Sequence, residues 1–270
     1  MKISKILSSG FLSGRVALVT GSTGGIGEGI ARCLASRGAN VVINGFGDEQ
    51  SINKLVESFK SDYNVEAEFI GGDLSKAEDV TALHKEAVKS FPSGIDILVN
   101  NAGFQHVSSI EKFPMDVWNK MMALMLSTPF QLSQLCMDSM KEKGWGRIIN
   151  VSSCHGHIAS PNKTGYISAK HGVVGLTKAV AVEVAGSGVT CNALCPGYVE
   201  TPLFIKQAED RAKAQGITYD EGRAQILQVH PSKEAVQLND LGEAVVFMCS
   251  SAGNQMTGQS LILDGGWVAN

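Results

Sequence analysis

Tyr166 and Lys170 stand four residues apart in the run Ser-Ser-Cys-His-Gly-His-Ile-Ala-Ser-Pro-Asn-Lys-Thr-Gly-Tyr-Ile-Ser-Ala-Lys, Ser152 to Lys170. On a helix that begins after Pro161, that spacing puts the phenol and the ammonium on one face, within reach of the same small molecule. An isolated phenol has a pKa near 10, so holding it half ionised near neutrality takes roughly 3 units, or about 4 kcal/mol. A cation about 4 Å away at an effective dielectric of about 20 supplies energy of that order. The pair reads as a general base and its activator. Ser153, across an expected strand-to-helix loop, can return a hydroxyl to the phenol. Tyr-x-x-x-Lys is common by chance, so the elements that position it must carry the argument.

Seven short β-branched runs alternate with amphipathic stretches: 16–20, 41–43, 66–70, 95–100, 147–151, 189–194 and 260–263. This rhythm predicts a parallel sheet with helices on both faces. No Pro/Gly/Ser-rich linker or repeat divides the chain, so residues 12–270 are expected to form one domain behind an N-terminal arm, residues 1–11. The polar, helix-prone segment Phe204 to Lys233 breaks the rhythm after the sixth strand. Such an insertion covers the ligand crevice in this architecture, giving an expected lid at about 199–235.

The 270 residues are 44% hydrophobic, ample for a buried core, with a net charge of −3 that leaves no basic field for nucleic acid or anionic lipid. The six cysteines form no Cys-x-x-Cys and sit among apolar neighbours, as expected of thiols in a reducing cytoplasm. No metal site is expected. The first residues contain no apolar stretch long enough for a membrane span.

After the first strand, Thr20-Gly-Ser-Thr-Gly-Gly-Ile-Gly27 opens directly into a helical pattern. Gly21, Gly25 and Gly27 allow a tight turn and close approach of the backbone to a pyrophosphate at a helix N-terminus. No Gly-Lys-Ser/Thr follows, which argues against a P-loop. At the end of the second strand, Asn44-Gly-Phe46 offers neither an acid for a ribose diol nor a base for a 2′-phosphate; the missing base favours NAD over NADP. Asp73, at the end of the third strand, is placed to accept from an adenine amine or to cap the next helix. Small residues in Asn100-Asn-Ala-Gly103 let a cofactor lie against the backbone.

These motifs, with Pro196-Gly197, occur in the order of the classical short-chain dehydrogenases/reductases, and the chain resembles that family over about Leu12 to Val268. The resemblance implies a doubly wound Rossmann fold, an α/β sheet in 3-2-1-4-5-6-7 order, a nicotinamide cofactor and a homotetramer. It implies Tyr166 as general base, Ser153 polarising the substrate oxygen and Lys170 holding the ribose while lowering the phenol pKa. Cofactor contacts fall on Gly21, Thr23, Gly25, Ile26, Gly27, Phe46, Asp73, Leu74, Asn101, Ala102, Gly103, Tyr166, Lys170, Pro196, Val199 and Thr201, the last binding the carboxamide. One departure stands out: where the family carries an Asn that supports a water in a proton relay, this chain has Met125, whose thioether cannot donate.

Within the family, Asn-Ala-Gly-Phe-Gln-His, Ser-Cys-His-Gly-His, Asn-Lys-Thr-Gly-Tyr, Thr-Pro-Leu-Phe-Ile-Lys-Gln and the terminal Asp-Gly-Gly-Trp resemble the bacterial branch that oxidises D-3-hydroxybutyrate. That likeness implies Gln105, His155, Lys163 and Gln207 around a substrate carboxylate, with Tyr198 as a pocket wall where the branch carries Trp. Lys163 is expected on the Tyr166 face of a helix opened by Pro161, where an anion meets an ammonium and free amides together. The expected reaction moves a hydride between a small 3-hydroxy acid and NAD. Two alternatives remain open: reduction of another carbonyl such as a β-ketoacyl thioester, and a non-catalytic nucleotide-binding role suggested by Met125.

Overall fold

A computed structural model of the protein describes residues 10–269; most of the expected N-terminal arm, residues 1–9, lies outside them. Seven strands, β1 (Val16–Val19), β2 (Asn40–Ile43), β3 (Ala67–Phe69), β4 (Ile97–Asn100), β5 (Gly146–Val151), β6 (Val189–Pro196) and β7 (Ser260–Leu263), form one parallel sheet in the order β3-β2-β1-β4-β5-β6-β7. The strand boundaries fall within two residues of the expected ones. The helices are α1 (Gly25–Ser36), α2 (Glu49–Tyr63), α3 (Ala77–Ser90), α4 (Met115–Met122), α5 (Thr128–Glu142), α6 (Thr164–Glu183), α7 (Pro202–Gln215), α8 (Tyr219–Ile226) and α9 (Leu238–Cys249).

Strand alternation makes both faces of the sheet apolar. In β1, Ala17 and Val19 face Ile30 and Leu34 of α1 and Leu241 and Val245 of α9; Val16 and Leu18 face Leu83 of α3 and Leu132 and Cys136 of α5. Each of these side chains is buried, and one fully buried Val or Leu contributes about 1.5–3 kcal/mol of transfer free energy. A sheet covered on both faces has only its strand ends free to build a site. The order reverses between β1 and β4, and the loops leaving their C-terminal ends part to form a crevice there.

Two local departures from the sequence reading touch the site. Asn162 takes a left-handed conformation (φ 63), so α6 starts at Thr164, and Lys163 is its N-cap rather than a residue on the helical face. Between α4 and α5 the chain makes a π-helical turn, Ala123–Ser127, with Met125 at its centre. The polar insertion after β6 is a helix pair. Thr201 caps α7 by accepting from the Phe204 N–H (3.2 Å), Gly216 ends it at φ 66, and a Thr218–Glu221 capping box opens α8. Phe204, Ala208, Ile226 and Leu227 close the pair on itself.

Candidate active site

Two cavities meet at the switch point. One, about 470 Å³, holds Ser153, Tyr166 and Lys170 with Gln105, His155, Lys163, Tyr198 and Gln207, and with Gly25, Ile26, Asn101, Pro196, Val199 and Thr201. The other, about 450 Å³, holds Thr23, Phe46, Asp73 and Leu74. Gly21, Ala102, Gly103 and Phe104 line both, so the two form one elongated cleft.

At the nucleotide end, Gly21 (φ 63) and Gly25 (φ 55) adopt backbone conformations that side chains disfavour. Gly24 gives α1 no side-chain cap, which leaves the first amides of α1 facing the cleft beside Gly25 and Ile26. Nothing lies within 4 Å of where a Cβ on Gly24 would sit. A side-chain-free turn, uncapped amides and an elongated cleft fit a dinucleotide with its pyrophosphate at the turn.

Gly27 lines neither cavity, contrary to its expected place among the cofactor contacts. A Cβ there would strike the Gly21 carbonyl and come within 2.5 Å of Asn101 Nδ2, so Gly27 serves close packing behind the turn. Asn101 likewise works from behind: its amide donates to the carbonyls of Thr20 (2.9 Å) and Gly21 (3.0 Å), while its own N–H and that of Ala102 donate to Thr20 Oγ1. Asp73 accepts from Ser75 N (3.1 Å) and Ser75 Oγ (2.7 Å), which holds its carboxyl below the ordinary range; it caps this turn, whereas the N-cap of α3 is Lys76. Lys120 lies 3.8 Å from Asp73.

At the chemical end, Lys170 Nζ donates to the Val151 carbonyl (2.7 Å) and lies 5.5 Å from the centre of the Tyr166 ring. Burial pushes this ammonium down to about 8. The expectation of a lowered phenol pKa is corrected here. Burial raises the Tyr166 pKa above its ordinary value, and hydrogen bonding from Ser153 and Gln105 opposes that only in part. The buried Lys170 directs its ammonium at the Val151 carbonyl rather than at the phenol, and desolvation sets the direction of the Tyr166 shift. Ser153 Oγ accepts from the His155 N–H (3.2 Å), which fixes the loop between β5 and α6.

Around the rest of that cavity, His155 is 4% exposed, and burial, aided by Lys163, pushes its imidazole down to about 4, so it is neutral near pH 7. Its Nε2 is 2.8 Å from Ser160 Oγ, a partner that belongs to none of the motifs. Burial also lowers the Lys163 ammonium. Phe104, Leu203 and Phe204 supply apolar lining, and Asn44, Gly45, Gly72 and Leu124 line the nucleotide end. None of these was singled out, although Asn44 and Gly45 directly follow β2, where ligand contacts are expected. Met125, 2% exposed, packs with Met121, Ala169, Phe104 and Tyr166.

Fold and cleft together are those of a dinucleotide-binding protein that gathers Ser153, Tyr166 and Lys170 in one cavity at the strand ends. The profile described as short chain dehydrogenase matches residues 15–212. The chain is 46% identical to a D-beta-hydroxybutyrate dehydrogenase of Cupriavidus necator over 96% of this chain and 99% of that one. It is 42% identical to another of that name from Rhizobium meliloti, over 94% and 99%. Among solved structures, L-sorbose reductase from Gluconobacter frateurii, in complex with NADPH and L-sorbose, superposes with a TM-score of 0.91 at 28% identity, covering 96% of this chain and 98% of that one. The protein belongs to the short-chain dehydrogenase/reductase family.

Proposed function

We propose that the protein oxidises D-3-hydroxybutyrate to acetoacetate, and runs the reverse reaction, with NAD as cofactor. One observation carries this: a partly buried ammonium, Lys163, shares a cavity with Tyr166 and Ser153 and has Gln105, His155 and Gln207 around the same space. A desolvated ammonium is costly unless an anion meets it, and a short hydroxy acid brings its carboxylate there. The two dehydrogenase relatives support the same substrate.

Gly21, Gly25 and Ile26 with the α1 amides would hold the pyrophosphate, Lys170 the ribose and Thr201 the carboxamide. Bound NAD would accept the hydride. Ser153 donates a hydrogen bond to the substrate oxygen, and Tyr166 takes the hydroxyl proton at its phenol oxygen. Lys170 favours the anionic phenol once both groups face the bound substrate. The α7–α8 pair acts as a lid through Leu203, Phe204 and Gln207. NAD is favoured over NADP because Asn44-Gly-Phe46 brings no cation to the end of β2 and Lys120 is drawn to Asp73. A homotetramer accords with the exposed apolar Phe130 on α5 and Val182 on α6, and light scattering would read its mass.

The deciding experiment is a steady-state assay of NAD reduction with D-3-hydroxybutyrate, beside the L-isomer and beside NADP. Turnover restricted to the D-isomer with NAD is expected; preference for NADP and a β-ketoacyl thioester would overturn the reading.

A further inference from the structure

His230 is fully buried, outside the catalytic centre, and holds three segments together. Its Nε2 accepts from the Tyr198 N–H (3.0 Å), so that nitrogen carries no proton, and Nδ1 donates to the Glu234 carbonyl (2.8 Å). The ring centre lies 5.7 Å from both the Tyr198 and Trp267 rings. Packing leaves no slack: a Cβ on Gly197 would come within 2.5 Å of Nε2, and one on Gly265 within 3.2 Å of Nδ1.

What His230 holds is the wall of the cavity. Tyr198 lines it, stacked on Trp267 with ring centres 5.4 Å apart and planes 11° from parallel. Trp267 in turn meets the His155 ring edge-on at 5.2 Å. Two bonds pin the Tyr198 backbone from opposite sides: His230 accepts from its N–H, and the Val236 N–H donates to its carbonyl (2.9 Å). His230 and Val236 both lie on the loop that returns from α8 to α9, where Val236 makes an isolated bridge with Val199.

We propose that His230 is a positioning residue for substrate specificity, which couples the return of the α7–α8 lid to the Tyr198–Trp267 wall and so fixes the space left for the alkyl end of the hydroxy acid. This rests on the substrate reading above, in which Tyr198 faces that acid. Neither His230 nor Tyr198, Val236 or Trp267 lines the nucleotide end of the cleft, so the two ligands should respond differently.

The test compares His230→Leu, similar in bulk but without polar atoms, with His230→Gln, whose carboxamide can donate to Glu234 and accept from Tyr198. We expect His230→Leu to raise KM for D-3-hydroxybutyrate at least tenfold with KM for NAD within twofold, and His230→Gln to restore most of the loss. In a Tyr198→Ala background, where the wall is gone, His230→Leu should add little. Should the leucine variant not fold, His230→Asn, too short to span both partners, takes its place. Equal rises in both KM values, no rise, or failure of His230→Gln to rescue would overturn the proposal. Hydrogen exchange at the Tyr198 amide separates this from the substrate reading: it should accelerate at least tenfold in His230→Leu and not in His230→Gln, whatever the substrate. Unchanged exchange overturns the positioning role, whereas an inactive wild type with accelerated exchange overturns only the substrate.

Discussion

Met125, at the position where the resemblance implies a polar side chain, packs a thioether against Tyr166, Phe104 and Met121, and a Cβ added at Gly103 would come within 3.0 Å of its sulfur. Tyr166 therefore has an apolar neighbour on that side, and in the proposed mechanism its proton would leave by the open side of the cleft. Met125→Asn should raise kcat about threefold or more if proton exit limits turnover, while burying an amide costs about 1–3 kcal/mol of stability. An unchanged kcat and solvent isotope effect would place the slow step elsewhere. Tyr166→Phe tests the base itself: kcat should fall by about 10²–10⁴ with NAD affinity retained, and near wild-type turnover would remove Tyr166 from the mechanism. Lys163→Ala should raise KM for hydroxybutyrate about tenfold or more, since hydrogen bonds to charged groups contribute about 1.5–3 kcal/mol, and leave an uncharged secondary alcohol little affected. Equal effects on both would argue against carboxylate recognition. The identities of these residues were legible in the sequence because each belongs to a short motif. Their electrostatics were not: spacing put an ammonium near a phenol, but only the fold showed both desolvated, with Lys170 turned to Val151.

Elements divide between those dictated by pattern and those dictated by tertiary contacts. The strands were legible because β1, β4 and β5 are buried on both faces and so read as continuous apolar runs. The start of α6 was not, because Pro161 suggested a first helical turn that the left-handed Asn162 forbids. The glycine turn shows the same division. Its three glycines looked equivalent in sequence, yet Gly21 and Gly25 shape the cleft while Gly27 lets α1 approach the turn. Gly27→Ala pushes a methyl into the Gly21 carbonyl and Asn101, neither of which can yield without moving the turn. Overpacking of this kind costs about 1–3 kcal/mol. We expect a lower melting temperature and at least a tenfold rise in the NAD dissociation constant by calorimetry; unchanged values for both would mean the turn relaxes freely.

For the molecule as a whole, two apolar layers clamp a sheet, and one cavity at its strand ends gathers His155, Lys163, Tyr166 and Lys170, each shifted toward its neutral form by burial. The rest of the fold must hold these groups out of water, and that sets how stability varies with pH. The folded His155 binds a proton only below about 4, the unfolded one already below 6.5. Between those values the unfolded chain holds more protons, so each step down in pH favours unfolding. At about 1.36 kcal/mol per unit, this removes roughly 3 kcal/mol across the window. Lys170 acts at the other end: the unfolded chain holds more protons between about 8 and 10.5, so stability rises with pH there. Urea unfolding of the ligand-free protein should therefore weaken from pH 6.5 to 4.5, and His155→Gln should flatten that fall. An equal fall in both proteins would assign the acid sensitivity to other imidazoles that burial lowers, His84 and His157, because carboxylates such as Asp73 titrate over a lower range. Because a hydroxy acid carboxylate would bind the charged form of Lys163, the stabilisation given by added substrate should hold steady while that ammonium is protonated in the free cleft and weaken as pH rises through the range, lowered by burial, where it deprotonates; a stabilisation that did not weaken would argue against carboxylate recognition there.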